Sequence, residues 1–136
     1  MPVDVFISHA TSDKFVGKQV AKELSAVGAE CFLDSNVIET GDQFDEEIKA
    51  ALHDCSELVV ILSPTALDRP YVWIEIGIAW SQGKRIVGLL HGMITAELAA
   101  RDGAPAFLNS MHLRDINELE EYLEELRTRL GKGHVP

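Results

Sequence analysis

A single carboxylate stands in an otherwise uncharged stretch of this sequence. Glu75 is the only charged residue in the run 71–80, which reads Tyr-Val-Trp-Ile-Glu-Ile-Gly-Ile-Ala-Trp. Asp68-Arg69-Pro70 precedes this run and is a plausible helix start, and a helix that is apolar on nearly every side is predicted to be buried. Burying an unpaired carboxylate is costly, so a fold that keeps one pairs it, protonates it or opens it to a cleft. Glu75 is therefore either half of a hidden ion pair or the chemical centre of a site.

Other residues near Glu75 suit the binding of a nucleotide. Tyr71 lies one helical turn before Glu75, so an aromatic ring and the carboxylate share one face. Such a pair is a reasonable pocket for a flat heterocycle attached to a sugar, and backbone amides after Ser8 and Ser63 can bind phosphate oxygens. The residues alone also allow a structural interpretation. A lone Glu can form a salt bridge or lie at an interface, Tyr71 can be a packing aromatic, and His9 can be an ordinary loop residue.

Several catalytic and cofactor motifs are absent from the sequence. Ser63 lacks a nucleophile elbow, there is no glycine-rich phosphate loop, and the remaining internal histidines (His53, His91 and His112) have no metal-ligand spacing. No metal site is therefore predicted. Asp34 and Glu39 follow an apolar run, and they are equally consistent with ligand contacts and with turn residues.

Short β-rich runs alternate with amphipathic stretches, and this alternation must position the candidate residues. The predicted strands are Val3 to Ser8, Ala29 to Asp34, Leu58 to Leu62, Arg85 to Leu90 and Ser110 to Leu113. Helical spacing is found between them, with Gly28 as a C-terminal cap, a short helix over Ile94 to Ala100 and a final helix over Ile116 to Leu130 that Gly131 ends. Five alternations predict a parallel sheet covered by helices on both faces. Ligands of such sheets bind at the carboxyl ends of the strands, where Ser8, Ser63 and the first turns of the Glu75 helix are expected.

Composition and charge narrow the possible partners. The chain has 136 residues and a formal net charge of −10, which predicts one domain that repels nucleic acid and anionic lipid surfaces. No 18-residue apolar stretch and no signal pattern occur, so a cytoplasmic location and no membrane partner are expected. Cys31 and Cys55 are predicted to be free, buried thiols. The domain is expected to span residues 1–130, with 131–136 as a disordered tail or the start of a linker.

Five segments together resemble the Toll/interleukin-1 receptor (TIR) domain family, in its prokaryotic NAD-cleaving form. Val5 to Ala10 (Val-Phe-Ile-Ser-His-Ala) is similar to the first box of that family. Phe32 to Asp34 and then Glu39 to Asp42 resemble its second strand and BB loop, and Val59 to Pro64 its third strand with a Ser-Pro end. Tyr71 to Glu75 resembles the W-V-x-x-E segment, with Tyr71 where Trp is commoner. The resemblance covers about Val3 to Leu130.

The resemblance implies a fold, an activity and a set of site residues. The fold is an α/β, flavodoxin-like three-layer sandwich with a five-stranded parallel sheet in the order 2-1-3-4-5. Enzymatic members cleave the nicotinamide–ribose bond of NAD+, which is the substrate, so no cofactor is expected. Glu75 matches the family's catalytic residue, and one carboxylate suffices because nicotinamide leaves from a form that is already cationic. The expected substrate-binding residues are Ser8, His9, Ala10, Asp34, Glu39, Gly41, Phe44, Ser63 and Tyr71.

The resemblance also implies regulation by self-assembly. The expected contacts are the BB loop, Asp34 to Asp42, and neighbouring helices, with a fused or separate sensor domain. The expected function is NAD+ hydrolysis as an immune effector in bacterial anti-phage or cell-suicide defence. Three alternatives stay open: a cyclase that makes a cyclic ADP-ribose signal at the same site, a non-catalytic interaction module, and a nucleoside deoxyribosyltransferase-like enzyme.

Overall fold

Strands and helices alternate along the chain. The structure, a computed structural model, describes residues 3–33, 46–100 and 110–132. Its strands, β1 to β5, are Val5–Ser8, Cys31–Leu33, Glu57–Leu62, Arg85–Leu90 and Met111–Asp115. Its α-helices, α1 to α5, are Lys14–Ala26, Glu46–Asp54, Pro70–Ser81, Thr95–Ala99 and Leu119–Lys132. Three short 3₁₀ turns, at Thr11–Asp13, Ala66–Asp68 and Ile116–Glu118, precede α1, α3 and α5.

The five strands form one parallel sheet in the order β2-β1-β3-β4-β5. The strand β1 lies between β2 and β3, with Val5 opposite Cys31 on one side and Glu57 on the other. The chain therefore adds β2 on one side of β1 and β3, β4 and β5 on the other side. The topological switch point lies between β1 and β3. This arrangement confirms the flavodoxin-like α/β fold that the sequence predicts.

Two apolar cores lie on opposite faces of the sheet because successive strand residues point to opposite faces. Phe6 packs in one core with Ile76 of α3. Its neighbour Ile7 packs in the other core with Leu24 of α1 and Leu126 of α5. All six residues of the central strand β3 are buried, which explains why the five residues after Glu57 are a continuous apolar run rather than an alternating one.

The helix that carries Glu75 begins and ends where its sequence predicts. Pro70 occupies the first turn of α3, where a residue without a backbone N–H costs no hydrogen bond. After the helix, Gly83 has φ of +70° and its N–H donates to the carbonyl of Trp80 at 3.1 Å. Glycine adopts this left-handed conformation without strain. In the part of the chain that the structure describes, neither α3 nor any other helix is long and apolar enough to cross a membrane.

The final helix differs from its prediction at both ends. It begins at Leu119, since Ile116–Glu118 forms a 3₁₀ turn in which the Asp115 carboxylate accepts the Asn117 N–H at 2.8 Å. It continues through Gly131 to Lys132, so the prediction that Gly131 ends it is wrong. A glycine close to the end of a helix lowers its stability but does not have to stop it.

A buried ion pair joins α5 to the sheet. Glu57, the first residue of β3, is 4% exposed and accepts a hydrogen bond from the Tyr122 hydroxyl at 2.5 Å. The Arg129 guanidinium donates to both carboxylate oxygens, at 3.0 to 3.2 Å, and lies 5.9 Å from the centre of the Tyr122 ring. Burial, and then the Glu57 charge, raise the pKa of Tyr122 well above its ordinary value, so its hydroxyl stays a donor. The carboxylate is therefore buried with partners on both oxygens.

Both cysteines are free thiols, as predicted. Cys55 is buried, whereas Cys31 is only partly buried. Desolvation raises the pKa of Cys31 to about 11 and also raises that of Cys55. Both groups are therefore protonated and poorly nucleophilic at neutral pH.

Close packing around Gly88 of β4 leads to a first prediction. An added Cβ there would lie 2.7 Å from Leu113 Cδ2 and 2.8 Å from Leu62 Cδ1. We expect Gly88→Ala to lower the free energy of unfolding by about 1–3 kcal/mol, since the core must shift to admit a methyl group. Gly77→Ala is the matched control, because a Cβ on Gly77 meets no described atom within 4 Å. The substitution also removes a glycine from the interior of a helix, so it should raise the free energy of unfolding. Urea denaturation of the two variants should place them on opposite sides of the wild type, and equal stability would contradict the packing argument.

Candidate active site

The carboxylate of Glu75 lies between α3 and the end of β1. Glu75 is 0% exposed, and the Ser8 hydroxyl donates a hydrogen bond to its Oε1 at 2.5 Å. Ser8 is the last residue of β1, and its side chain points to the α3 side of the sheet because Phe6, two residues earlier, does so. Two residues that are 67 positions apart in sequence thus meet at the carboxyl edge of the sheet, beside the switch point.

The first turn of α3 is fixed to the loop that follows β1. The Tyr71 hydroxyl donates to the backbone carbonyl of His9 at 3.1 Å. The Trp73 indole N–H donates to the carbonyl of Leu67 at 2.8 Å and holds the same turn against the preceding 3₁₀ segment. Tyr71 and Glu75 are therefore hydrogen-bonded to two adjacent residues at the end of β1. Tyr71 bonds to His9, and Glu75 bonds to Ser8. Trp73 is a packing residue with a satisfied N–H group.

A second polar pair lies at the same edge of the sheet. Ser63, immediately after β3, donates its hydroxyl hydrogen to Asp13 Oδ2 at 2.5 Å and accepts the Ala66 N–H at 3.1 Å. Asp13 belongs to the 3₁₀ turn after β1, so this pair joins the carboxyl ends of the two strands that flank the switch point. The Ser63 hydroxyl is thus held by two 3₁₀ turns, so it is oriented rather than free to rotate.

The His9 side chain is buried on the α1 side of the sheet. Its Nδ1 lies 2.7 Å from the carbonyl of Ala10, and because a carbonyl only accepts, Nδ1 carries a hydrogen. The other ring nitrogen, Nε2, is buried and makes no hydrogen bond within the described part of the chain. Gly17 of α1 permits this position, since a Cβ on Gly17 would lie 3.0 Å from His9 Cδ2. The ring nitrogen is a polar group that a ligand atom at this edge can satisfy.

The structure brings together most of the predicted site residues that it describes. Ser8, Glu75, Tyr71 and the His9 backbone form one cluster, and Ser63 lies at the neighbouring strand end. The side chain of Ala10 is buried in the core, and its backbone carbonyl bonds to the His9 ring, so the structure does not bring Ala10 to this cluster. The other predicted contacts, Asp34, Glu39, Gly41 and Phe44, lie outside the described residues.

The sequence analysis missed Asp13. A carboxylate in the loop that follows the first strand was the available signal, but nothing in the local pattern identifies Ser63 as its partner 50 positions later. The sequence does not identify a partner for Glu75, and in the structure the hydroxyl of Ser8 supplies one hydrogen bond to it. Among residues 3–33, 46–100 and 110–132, no cluster of His, Cys, Asp and Glu could hold a metal ion.

The Ser8–Glu75 bond gives a second prediction. We expect Ser8→Ala to lower the free energy of unfolding by about 1–3 kcal/mol, because a buried carboxylate oxygen loses a hydroxyl donor. Ser81→Ala is a matched control, since among the described residues the exposed Ser81 hydroxyl bonds only to the Ile78 carbonyl of its own helix. That change should stay within about 0.5 kcal/mol of the wild type. Chemical denaturation followed by circular dichroism measures both, and a Ser8→Ala variant as stable as Ser81→Ala would show that the bond contributes nothing.

Comparison with known proteins places this chain in a family. The family model described as "TIR domain" matches residues 5–128. A probable 2′ cyclic ADP-D-ribose synthase from Brachypodium distachyon is 28% identical over 97 residues, which are 70% of this chain and 43% of that protein. The chain thus matches less than half the length of that relative.

Solved structures share the fold of the chain. The TIR domain of a Toll-related receptor from Hydra magnipapillata superposes with a TM-score of 0.67 at 22% identity, covering 93% of this chain and 96% of that one. The TIR domains of the activated Roq1 resistosome superpose with a TM-score of 0.60 at 20% identity, covering 96% of this chain and 82% of that one. Together with a family model that matches nearly the whole sequence, the sheet order and the strand-end site lead to one conclusion: the chain belongs to the TIR domain family.

Proposed function

We propose that this TIR domain cleaves the nicotinamide–ribose bond of NAD+, with Glu75 as the catalytic residue. The observation that carries the proposal is the position of the Glu75 carboxylate, which is held by Ser8 at the switch point of the sheet, where ligands of open α/β folds bind. Membership of the TIR family and the similarity to a probable 2′ cyclic ADP-D-ribose synthase support NAD+ as the substrate.

The chemistry needs little more than a fixed negative charge. When the bond between ribose C1′ and the nicotinamide nitrogen breaks, both bonding electrons go to the nitrogen, and the cationic ring leaves as neutral nicotinamide. Positive charge then develops on the ribose as an oxocarbenium ion. A carboxylate beside the ribose stabilises that charge or holds the ribose hydroxyls, and water adds at C1′ and loses a proton to give ADP-ribose.

Ser8 and Tyr71 act as positioning residues in this mechanism. The Ser8 hydroxyl fixes Oε1 of Glu75, so the carboxylate needs no reorientation as charge develops. The bond from Tyr71 to the His9 carbonyl holds the aromatic ring at the same edge, one turn before Glu75. We infer that the ring packs on a flat base or on nicotinamide. His9 Nε2 and the backbone after Ser63 are further contacts for the nucleotide.

Access to Glu75 must be controlled, because the residue has no exposed surface. A substrate reaches the carboxylate only if neighbouring residues move. This supports a protein that is inactive alone and opens its site on assembly. We place the assembly contacts in the BB loop, Asp34 to Asp42, and in neighbouring helices. The TIR domains of the activated Roq1 resistosome share this fold, and the description of that resistosome as activated supports the same idea.

The product is either ADP-ribose or a cyclic isomer. Water captures the ribosyl cation in the first case, and a hydroxyl or ring nitrogen of the same molecule captures it in the second. Hydrolysis, followed by NAD+ depletion in anti-phage or cell-suicide defence, is the function that we propose. The synthase named among the relatives specifically favours cyclisation as the second candidate.

The experiment that tests this proposal is product analysis with the wild-type protein. The purified chain is fused to an oligomerising partner, incubated with NAD+, and its products are separated by chromatography. We expect nicotinamide and ADP-ribose in equal amounts, whereas a cyclic isomer in place of ADP-ribose would favour the second candidate. Intact NAD+ after forced assembly would reject the enzyme in favour of a non-catalytic module. Base exchange between deoxynucleosides with NAD+ intact would indicate a deoxyribosyltransferase.

A further inference from the structure

A groove lined by basic side chains lies between α5 and the strands β4 and β5. Its volume is about 320 Å³. We call it the arginine groove, and the side chains that line it include Arg85, His112, Arg114, Tyr122, Glu125 and Arg129. Three of the six arginines of the chain line it, although acidic residues outnumber basic ones by 22 to 12.

The register of the sheet brings these groups to one face. Val87 of β4 lies opposite His112 of β5, and Leu89 lies opposite Arg114. Arg85 is two residues before Val87 and therefore points to the same side of the sheet. Val87 and Leu89 pack in the core that Tyr122 of α5 completes. The basic side chains of two neighbouring strands thus face the same helix.

Internal carboxylates neutralise two of the three arginines. Arg114 donates to Glu121 at 2.5 Å and to Glu125 at 3.1 Å, and Arg129 is bound to the buried Glu57. Arg85 differs from both. In the described residues no carboxylate lies within 4.0 Å of its guanidinium, and its polar contact is His112 Nε2, 3.5 Å from Nη1.

The contact between Arg85 and His112 leaves donors for an anion. A guanidinium only donates, so Nε2 of His112 accepts in this contact and the remaining guanidinium hydrogens of Arg85 stay available. An anion between the two side chains would accept two parallel N–H hydrogen bonds from the planar guanidinium of Arg85. After a change of tautomer or protonation, it would also receive an N–H from His112. Glu125 is 52% exposed, so Arg114 can exchange this rim carboxylate for a ligand at little cost.

We propose that the arginine groove binds the phosphate group of a small-molecule ligand. Arg85 supplies a bidentate contact, His112 a second donor, and Arg114 a third after leaving Glu125. A phosphate carries more negative charge than a carboxylate and has three oxygens for these donors, so it can displace Glu125 from Arg114. A carboxylate ligand would only replace one carboxylate with another and would gain no binding energy from the exchange. The net charge of −10 repels anions elsewhere on the surface, which confines binding to this local cluster.

The arginine groove is separate from the Glu75 site. Glu75 lies on the face of the sheet covered by α2 and α3, whereas the groove lies on the face covered by α1 and α5. Arg85 is also at the start of its strand, and Ser8 is at the end of its own. The inference does not depend on NAD+ cleavage, and Glu75→Gln should leave phosphate binding in the groove unchanged.

Calorimetric titration with inorganic pyrophosphate at low salt tests the proposal. We expect the wild type to bind it and Arg85→Gln to weaken binding by about tenfold or more. The matched control is Arg127→Gln, which removes the same charge from an exposed arginine of α5 that does not line the groove. Its affinity should change by less than about twofold. Side-chain ¹⁵N resonances of His112 should shift on titration and locate the ligand.

The remaining outcomes decide the source and chemistry of the ligand. ADP-ribose that binds more tightly than pyrophosphate and shifts His112 would identify a nucleotide, and equal affinity would identify the phosphate group alone as the recognised part. Either result supports the proposal. Three results would overturn the proposal. The first is an equal loss of pyrophosphate affinity in Arg85→Gln and Arg127→Gln. The others are citrate binding as tight as that of pyrophosphate, and no binding of pyrophosphate at millimolar concentration.

Discussion

Glu75→Gln is expected to lower the rate of nicotinamide release from NAD+ by about 10²–10³-fold. Glutamine keeps the shape of the side chain and can still accept the Ser8 hydroxyl hydrogen, but it lacks the negative charge that stabilises the ribosyl cation. Initial rates across a range of NAD+ concentrations measure the effect. The loss should fall mainly on kcat, since the charge acts on the transition state more than on the bound substrate.

The control for this prediction is Glu23→Gln on the exposed face of α1, which removes the same charge away from the site. It should turn over NAD+ at the wild-type rate. Denaturation of Glu75→Gln separates chemistry from folding, because the variant should remain folded at the assay temperature. Loss of activity that only follows loss of folded protein would assign Glu75 a structural role.

Arg129→Met is expected to lower the free energy of unfolding by about 2–4 kcal/mol. Methionine preserves much of the apolar stem, but it leaves Glu57 buried with the Tyr122 hydroxyl as its remaining donor among the described residues. A buried carboxylate that loses its cation costs about 3–5 kcal/mol, and the 30% exposure of Arg129 reduces that figure because water can enter. Urea denaturation at neutral pH measures the change.

The matched control is Arg127→Met, two residues earlier on the same helix. Arg127 is 57% exposed and pairs with Glu124 at 2.5 Å, so its removal should change stability by less than about 1 kcal/mol. If both variants lose the same stability, the Glu57–Arg129 pair contributes no more than a surface ion pair. Glu57→Gln combined with Arg129→Met should recover part of the loss, because no buried charge then lacks its partner.

Local sequence patterns predict the order and class of the elements well. Pro70 and Gly83 mark the two ends of α3, and the continuous apolar run of β3 predicts a strand covered on both faces. These features depend on residues that are close together in the sequence, so local sequence patterns can predict them. The start of α5 is less predictable, since the bond between the Asp115 carboxylate and the Asn117 N–H favours a 3₁₀ turn where the apolar spacing alone indicates an α-helix.

The polar contacts of the site could be predicted only in part. The isolation of Glu75 among apolar residues identifies it as unusual, and its spacing from Tyr71 predicts a shared face. The Ser8 hydroxyl is a partner that no local pattern can reveal, because the two residues meet only when β1 and α3 pack together. The same holds for Asp13 with Ser63 and for Glu57 with Arg129. Each pair joins elements that are far apart in sequence.

NAD+ cleavage by Glu75 is tested most directly by one assay of nicotinamide release by assembled wild-type and Glu75→Gln proteins at equal concentrations of folded chain. We expect steady release of nicotinamide by the wild type and release at least about 10²-fold slower by Glu75→Gln. Equal rates in the two proteins would contradict the assignment of Glu75. No release from either protein after forced assembly would contradict NAD+ cleavage itself.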